Sequence, residues 1–406
     1  MPVKSAEKLT AAQKLVSQCD RCGTCLTVCP LFGSKDIESS AARGKNSILR
    51  ALAAGGLEPT KDVKAALDFC LLCQRCVVNC PAKVQTDEAM ILARQYLADN
   101  AGGASLKYRL VGGFMGSPLL VKLGAFGLSV MRKLGLNNLA PFGAAPDEYT
   151  RTHFMTAFAG PATLGQSKPV ETVSVSQGSK VAYFKGCGMQ ILFPEAAKQS
   201  LEVLGRITKP VTRDNVCCGL PHLAHAMEGD FFKLAKENIR QFEDVDIVVS
   251  DCASCSGTLK HLAHYFEQDE AWRERAQAFS AKVMDLTEYL AKAGYVPRTQ
   301  NKAKITYHDP CHLVRGQGIT KEPRALLAAT GEFCEMKDAD VCCGGAGSFF
   351  LDYPEISDRV IDKKRQNIEA TGADIVVTGC PGCLIQLNKA AKASGKFKAL
   401  HISQVV

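Results

Sequence analysis

Short apolar runs alternate with amphipathic stretches in the second half of the chain. Runs such as VAYF (181–184) and DIVVSD (246–251) are rich in β-branched residues, whereas PEAAKQSLEVLGRI (194–207) spaces its apolar residues as a helix does. Alternating strands and helices are typical of βαβ units on a parallel sheet. We therefore predict α/β domains whose cysteines lie at the carboxyl ends of the strands, where open α/β sheets bind their ligands.

This strand and helix pattern occurs twice. Three stretches recur in the same order: KVAYFKGCGMQ and KITYHDPCHLV, NVCCGLP and DVCCGGA, DIVVSDCASC and DIVVTGCPGC. The copies are 124 residues apart at the first cysteine, 125 at the CC pair and 128 at the C-x2-C motif. Such regular offsets indicate a tandem duplication.

The first hundred residues have a different pattern. SSAARGKNSILRALAAG (39–55) and DEAMILARQYLADN (87–100) have helical periodicity, and a linker rich in Ala, Gly, Pro and Ser precedes the duplicated half. The expected fold class is α+β overall, with a mainly helical N-terminal domain followed by two duplicated α/β domains. The expected boundaries are 1–100 for the helical domain, 101–178 for a helical and linker segment, 179–300 for the first α/β domain and 301–406 for the second.

An apolar segment, residues 110–136, lies between the two halves, and Lys122 is its only charged residue before Arg132. Its length would cross a bilayer, but Gly and Pro interrupt it and Lys122 lies near its middle, which disfavours a span. Two other interpretations remain open. The segment packs on the protein body or a partner subunit, or it makes peripheral contact with a membrane surface, where quinone could be reached.

Composition narrows the function. The chain has 406 residues, is 46% hydrophobic and carries a net charge of +8, with Lys and Arg scattered among acids, so no nucleic-acid partner is expected. The stretch MPVKSAEKLTAAQK has no apolar signal region. We therefore expect a cytoplasmic protein whose nineteen cysteines are reduced and serve mainly as metal ligands, with peripheral contact to the inner face of the membrane as the alternative.

Two cysteine motifs of the form C-x2-C-x2-C-x3-C-P lie at 19–30 and 70–81. Zinc sites usually take separated C-x2-C pairs, whereas three cysteines at successive x2 spacing suit a [4Fe–4S] cubane. In the two-cluster pattern the fourth cysteine ligates the other cluster. The predicted ligands are Cys19, Cys22, Cys25 and Cys80 for one cubane, and Cys70, Cys73, Cys76 and Cys29 for the other.

Each α/β copy adds five candidate ligand cysteines, which we call the first and second pentad. The first pentad is Cys187, Cys217, Cys218, Cys252 and Cys255, and the second is Cys311, Cys342, Cys343, Cys380 and Cys383. Five thiolates exceed what one zinc ion or one ordinary cubane takes, although zinc or a cubane with a spare thiol remains an alternative. The glycines of CCGL and CCGGAG allow the turn that a CC pair needs to serve one site, and turn backbone amides towards the sulfurs.

These motifs resemble a known family. The repeated Cys, CCG and C-x2-C arrangement looks like the cysteine-rich CCG domain of heterodisulfide reductases. The order of the motifs along the chain, a ferredoxin-type pair followed by two CCG domains, is similar to that in the iron–sulfur subunits of glycolate oxidase, of lactate-utilisation enzymes and of anaerobic glycerol-3-phosphate dehydrogenase. The resemblance spans about residues 15–400, rests on 18 of the 19 cysteines, and includes YHDPCHLVRG, which looks like the family's YHDPCHLGR signature. It implies a noncubane [4Fe–4S] cluster at each pentad, hence one or two clusters beyond the cubanes.

The resemblance implies an oxidoreductase subunit. It would carry electrons for a flavin-dependent 2-hydroxyacid (glycolate or lactate) dehydrogenase, from an FAD-containing partner subunit towards quinone or another carrier. The chain has no G-x-G-x-x-G opening a βαβ unit and no recognisable flavin site, so it needs such a partner. The alternative is a heterodisulfide-reductase-like catalytic subunit that reduces a disulfide or another acceptor at a noncubane cluster. Both pentads are complete here, whereas many glycolate oxidase subunits lack part of the first.

Several polar residues close to the cysteines are weaker candidates, for proton delivery or for hydrogen bonds that support the ligands, and no catalytic residue is assigned among them. They are His308, Asp309, His312 and Arg315 around Cys311, and His222 and His225 after the first CC pair. Cys334 has no counterpart in the first copy and is predicted to be a small buried apolar residue rather than a ligand.

Overall fold

The computed structural model describes residues 5–133, 178–297 and 301–406, and the first of these ranges is helical. Its first seven helices are α1 (Ser5–Val16), α2 (Thr24–Val28), α3 (Phe32–Lys35), α4 (Ala42–Ala53), α5 (Lys61–Asp68), α6 (Arg75–Val78) and α7 (Thr86–Asn100), with a 3-10 turn at Glu38–Ser40. Val16, Leu49 and Leu97 are fully buried where α1, α4 and α7 pack together. The helices predicted over 39–55 and 87–100 are thus confirmed.

Two further helices, α8 (Leu106–Gly116) and α9 (Pro118–Lys133), follow the helical region, and we call them the bent pair. They meet at 94°, because Ser117 is extended and a proline begins the next helix. No single helix among the described residues is long and apolar enough to cross a membrane, and only the bent pair together reaches the required length and composition. The linker predicted before residue 179 lies mostly outside the described residues.

The first α/β copy contains a four-stranded parallel sheet. Its strands are β1 (Val181–Phe184), β2 (Val211–Thr212), β3 (Ile247–Ser250) and β4 (Val283–Asp285), in the order β2-β1-β3-β4. Its helices are α10 (Cys187–Leu192), α11 (Pro194–Gly205), α12 (Leu220–Ala224), α13 (Glu228–Gln241), α14 (Ala253–Lys260), α15 (Leu262–Tyr265), α16 (Arg273–Ala281) and α17 (Leu286–Lys292).

The second copy repeats this arrangement. Its strands are β5 (Asn301–Tyr307), β6 (Gly331–Phe333), β7 (Ile375–Thr378) and β8 (Lys398–His401), all parallel, in the order β6-β5-β7-β8. Its helices are α18 (Cys311–Val314), α19 (Lys321–Ala328), α20 (Phe349–Asp352), α21 (Pro354–Thr371) and α22 (Pro381–Ser394), with a 3-10 turn at Ile402–Gln404. The two sheets have the same strand order, so the duplication and the α/β prediction are confirmed.

The central strands of both sheets are the β-branched runs that the sequence predicts. The outer strands β2, β4, β6 and β8 are two to four residues long and carry little apolar periodicity, so the sequence pattern did not indicate them. The two copies share buried clusters. Tyr183 and Tyr307 belong to one cluster, and the Ala253 N–H donates to the Gly379 carbonyl (2.9 Å) between the two C-x2-C loops. The carboxyl ends of the two sheets therefore lie close together.

Candidate iron–sulfur centres

The cysteines of the helical region lie around two cavities. A left-handed residue precedes each short helix after the second cysteine of a motif, Gly23 (φ 88°) before α2 and Gln74 (φ 62°) before α6, which curls the loop around its thiols. One cavity is lined by Cys19, Cys22, Cys25, Cys76 and Cys80. The other is lined by Cys29, Cys70, Cys73 and Cys76. This geometry supports the crossed ligation, which stays a prediction.

The thiols around the second cavity are the more buried, because all four are at least partly buried whereas Cys22 of the first cavity is exposed. Burial, followed by the charge of nearby Cys342, raises the pKa of Cys73. Lys45, which is 1% exposed, lines the same cavity and donates to the carbonyls of Ser39 (3.0 Å) and Ala66 (2.6 Å), and burial lowers its pKa to about 8. Buried thiols bind metal ions as thiolates, so metal binding at this cavity must release the protons of its thiols.

The first pentad gathers at the carboxyl ends of β1, β2 and β3. Cys187 begins α10, the CC pair lies between β2 and α12, and Cys252 and Cys255 lie at the start of α14. All five thiols are buried, and the Sγ atoms of Cys187 and Cys217 are 3.7 Å apart. Gly219 is left-handed (φ 93°) and its N–H donates to the Cys217 Sγ (3.5 Å), as the CCG motif predicts.

The second pentad occupies the equivalent place in its own sheet. Cys311 begins α18, Cys342 and Cys343 follow β6, and Cys380 and Cys383 lie at the start of α22. Gly344 repeats the left-handed turn (φ 82°) and its N–H donates to the Cys342 Sγ (3.4 Å). In both copies the local sequence thus produces the same loop around the same thiols.

His308 distinguishes the second pentad from the first. A ring nitrogen of His308 and the sulfurs of Cys343 and Cys383 all lie within 4.8 Å of one another. The ring is fully buried, burial lowers its pKa to about 3, and neither nitrogen has a hydrogen-bond partner among the described residues. Such unpaired buried groups are costly, so this site fits an additional metal or sulfur group. In the first copy Phe184 stands at this position.

The two pentads adjoin each other. The thiols of Cys252 and Cys380, one from each copy, interact directly. The hydroxyl of Ser254 lies 3.5 Å from the Cys380 Sγ and 2.9 Å from His312 Nδ1, so His312 is positioned between the copies. The sequence pattern did not indicate this contact, because the two cysteines belong to motifs far apart in the chain.

The second pentad also adjoins the helical region. Cys73 packs in the same apolar cluster as Cys342, beside Phe69. Arg315 crosses this boundary, because its Nε donates to the Cys73 carbonyl (2.7 Å) while its other end pairs with Asp340 (3.0 Å). Arg315 therefore holds the loop that contains Cys73 against the second α/β copy.

The side chains of Asp309 and His222, two further polar candidates, bond to groups other than the thiols. Asp309 forms an ion pair with Arg324, in which the two guanidinium nitrogens donate at 2.9 and 2.7 Å. His222 bonds to the Gly112 carbonyl of α8 (3.0 Å). These contacts hold elements together.

Two more of the predicted residues also serve packing. His225 stacks on Tyr108 with ring centroids 3.5 Å apart and bonds to the Ser348 hydroxyl (2.8 Å). Cys334 is partly buried, and its thiol donates to the Ile305 carbonyl (3.4 Å). That contact is consistent with the prediction that Cys334 is not a ligand.

A cleft reaches the first pentad from outside. Helix α9 forms one wall of it through Val121 and Lys122. Cys187 and Cys217 lie in this cleft beside polar groups contributed by Lys185, Arg213, Asp214, Asn215 and Gln190. No sequence signal marks the cleft, because three separate segments assemble it.

Comparison with known proteins agrees with this architecture. The family model described as a 4Fe-4S dicluster domain matches residues 15–84, and the cysteine-rich CCG domain matches 181–260 and 305–388. A protein of Bacillus subtilis (strain 168) named "Probable glycolate oxidase iron-sulfur subunit" is 30% identical over 432 residues, which cover 96% of this chain and 92% of that protein.

Shorter similarities join the same group. "Lactate utilization protein A" of Shouchella clausii (strain KSM-K16) is 32% identical over 234 residues, covering 56% of this chain and 98% of that protein. One subunit of the "Fumarate reductase (CoM/CoB)" of Methanothermobacter marburgensis is 30% identical over 244 residues, covering 58% of this chain and 48% of that protein. Two of these three relatives are thus named as oxidoreductase subunits, one of glycolate oxidase and one of fumarate reductase.

Proposed function

Since this chain belongs to the family of iron–sulfur electron-transfer subunits that join a 4Fe-4S dicluster domain to two CCG domains, with the glycolate oxidase iron–sulfur subunit as a relative, we propose that it serves a flavin-dependent 2-hydroxyacid dehydrogenase of the glycolate or lactate class. A separate FAD-containing subunit oxidises the acid. This chain carries the electrons onward, towards quinone or another carrier.

Eighteen cysteines hold the clusters in this proposal. The two crossed sets of the helical region bind two [4Fe–4S] cubanes, and each pentad binds one further cluster. Iron–sulfur clusters take up and release one electron at a time, so several of them divide the two-electron oxidation of a reduced flavin into single steps.

The observation that carries the proposal is the order in which the thiol sets adjoin. Cys73 of the helical region packs with Cys342 of the second pentad, and Cys380 of that pentad contacts Cys252 of the first. The cleft beside Cys187 and Cys217 ends this row at the surface. An unbroken row of ligand sets between two faces of a protein is the arrangement that a relay requires, and isolated structural metal sites would have no need of it.

Residues other than the cysteines support the row. The N–H groups of Gly219 and Gly344 donate to ligand sulfurs, which stabilises thiolates and favours added negative charge. Arg315 holds the Cys73 loop against the second copy through the Cys73 carbonyl. These contacts fix the thiol sets relative to each other within a buried environment, which limits the rearrangement that each electron transfer would otherwise require.

The proposal is tested on the native complex. The chain is purified anaerobically from its host with the proteins that accompany it, glycolate or lactate is added, and EPR spectra are recorded. We expect reduced-cluster signals after addition of one of these acids and a flavoprotein in the preparation. Silence with both acids, in a sample whose clusters dithionite still reduces, would contradict the assigned substrate class.

A second candidate function is the reduction of a disulfide, or of another acceptor, at the pentads. The observation that favours it is that two complete pentads meet at Cys252 and Cys380, beside His312 and Ser254. Part of a fumarate reductase named for CoM/CoB is also among the relatives. Reoxidation of the dithionite-reduced chain by a panel of disulfides, followed by EPR, separates the two candidates, because the relay function predicts no reaction with disulfides.

A further inference from the structure

The bent pair exposes an unusual amount of apolar surface. Of the twelve large apolar side chains that are exposed among the described residues, eight belong to α8 and α9. They are Leu106, Leu110, Val111, Leu119, Leu120, Leu123, Phe126 and Val130. Phe126 and Leu106 are each 69% exposed and Leu110 is 68% exposed. A concentration of this kind marks an interaction site rather than the scattered apolar residues of an ordinary surface.

The opposite side of the bent pair packs against the first α/β copy. A Cβ atom added at Gly112 would lie 2.9 Å from Met227 and 3.1 Å from His222, so the backbone of α8 approaches the body closely there. Val121 of α9 is 4% exposed and belongs to the core cluster that contains the first pentad. The bent pair is therefore anchored on one side and presents its apolar side outward.

The charged residues of the bent pair itself are all basic. Between Asp99 and Asp147 the sequence has five basic residues and no acidic one. Of these, Arg109 is exposed, while Lys107 and Lys122 remain about half exposed although they pair with Asp352 and Asp214. Apolar side chains framed by Lys and Arg are the pattern of helices that lie at a lipid surface, because the apolar face enters the acyl boundary while the cations contact anionic headgroups.

We propose that the outward face of the bent pair binds the surface of a bilayer that contains anionic phospholipid. Across the 94° bend, both helices contact the protein body and both keep large apolar side chains exposed. Because α9 also forms a wall of the cleft at Cys187 and Cys217, this binding brings the cleft next to the lipid. A lipid-dissolved acceptor would then reach the first pentad without leaving the membrane.

The test uses the purified chain with its clusters and no substrate, so its result does not depend on the proposed function. Wild-type protein is sedimented with vesicles of phosphatidylcholine alone and with vesicles of phosphatidylcholine and phosphatidylglycerol. We expect binding to the mixed vesicles that weakens as salt is raised, and much weaker binding to phosphatidylcholine alone.

The decisive variant is the double substitution Leu110→Glu with Phe126→Glu. Both side chains are mostly exposed, so the fold tolerates the change, and we expect vesicle binding to weaken about a hundredfold. Leu57→Glu with Val296→Glu is the matched control, because these apolar side chains are exposed elsewhere, and it should bind as the wild type does. Arg109→Gln should weaken binding to the mixed vesicles about fivefold.

Visible absorption of the clusters and circular dichroism verify that every variant folds. Equal sedimentation of the wild type and the Leu110→Glu, Phe126→Glu protein would overturn the proposal. It would also be overturned if the wild type failed to bind vesicles while the same double variant lost a protein that co-purifies with the wild type. That second outcome would identify the apolar face as a protein interface instead.

Discussion

The two α/β copies share a thiol framework and differ in what surrounds it. His308, Arg315 and Lys364 lie beside the second pentad. The ammonium group of Lys364 donates to the Asp338 and Ala339 carbonyls, and burial lowers the pKa of Lys364 to about 8. The first pentad has Phe184 in place of His308 and opens to a cleft. Duplication thus preserved the residues that make the loops, whereas the surrounding positions diverged.

The neighbours of the two copies differ as well. The second copy contacts the helical region through Arg315 and the aromatic pair Phe69 and Phe349, whose ring centroids are 5.5 Å apart. The first copy supports the bent pair through His222 and Val121. The first copy also contacts the helical region, through the ion pair of Lys8 with Glu228 (2.9 Å), but among the described residues it is Cys342 of the second pentad that packs with Cys73. In our proposal the second pentad therefore receives electrons from the helical region and the first pentad passes them on. The comparison suggests that two equal units acquired unequal positions in a series.

The largest expected effect tests that series directly. Replacing Cys343 with Ser should interrupt the row between the helical region and the first pentad, whereas Cys218→Ser should affect only the last position. We expect the rate at which the donor reduces the first pentad to fall more than about a hundredfold in Cys343→Ser. This loss is larger than the loss usually seen when a residue that only supports a metal ligand is changed. Rapid-freeze EPR measures it.

The matched variant Cys218→Ser should leave reduction of the second pentad at its normal rate. If Cys343→Ser instead left the first pentad fully reducible, the two copies would receive electrons in parallel and the series would be wrong. Iron content of each variant shows that the other ligand sets remain loaded.

The next effect concerns the polar difference between the pentads. A His308 N–H donated to a sulfur of the second site would stabilise its reduced, more negative state. His308→Phe copies the first pentad and should lower the reduction equilibrium constant of the second site about tenfold, which corresponds to about 59 mV for a one-electron couple. A redox titration followed by EPR measures this shift.

Two further variants test the same effect of His308 on the reduction potential. His308→Gln keeps an N–H donor and should restore part of the potential, which a purely structural role of the ring would not do. The reciprocal change Phe184→His should raise the potential of the first site. Unchanged potentials in all three proteins would mean that His308 does not interact with the group held by the second pentad.

A smaller effect is expected at the boundary between the helical region and the second copy. Arg315→Lys removes the guanidinium group that bonds to both the Cys73 carbonyl and Asp340. Hydrogen bonds to charged groups contribute about 1.5–3 kcal/mol to stability. The urea midpoint of the helical region should therefore fall. Arg324→Lys, which alters the Asp309 pair inside the second copy, is the control and should leave the helical region unaffected.

The smallest effect is expected where the copies meet. Ser254 bridges His312 and the Cys380 Sγ, whereas the equivalent residue of the second copy is Gly382, which has no side chain to do so. Ser254→Ala should reduce the free energy of unfolding by about 0.5–1.5 kcal/mol. Urea denaturation measures the loss. A shift in the second site's potential as large as that of His308→Phe would show that Ser254 also tunes the thiols.

Local sequence was informative wherever the structure depends on nearby residues. The spacing of the cysteines, the glycines after each CC pair and the β-branched runs all concern a few consecutive residues, and the loops and central strands formed as these patterns predict. The outer strands β2 and β6 were missed because their length and composition carry no periodic signal, and their position comes from pairing with β1 and β5.

By itself, the sequence determined the kinds of domain, their number and the candidate ligands, because each motif contains its own geometry. Only the tertiary structure decided the order of the thiol sets. The contacts of Cys73 with the second pentad and of Cys252 with Cys380 join motifs that lie far apart in the chain. Packing between buried surfaces produces such contacts, and no spacing along the sequence encodes them.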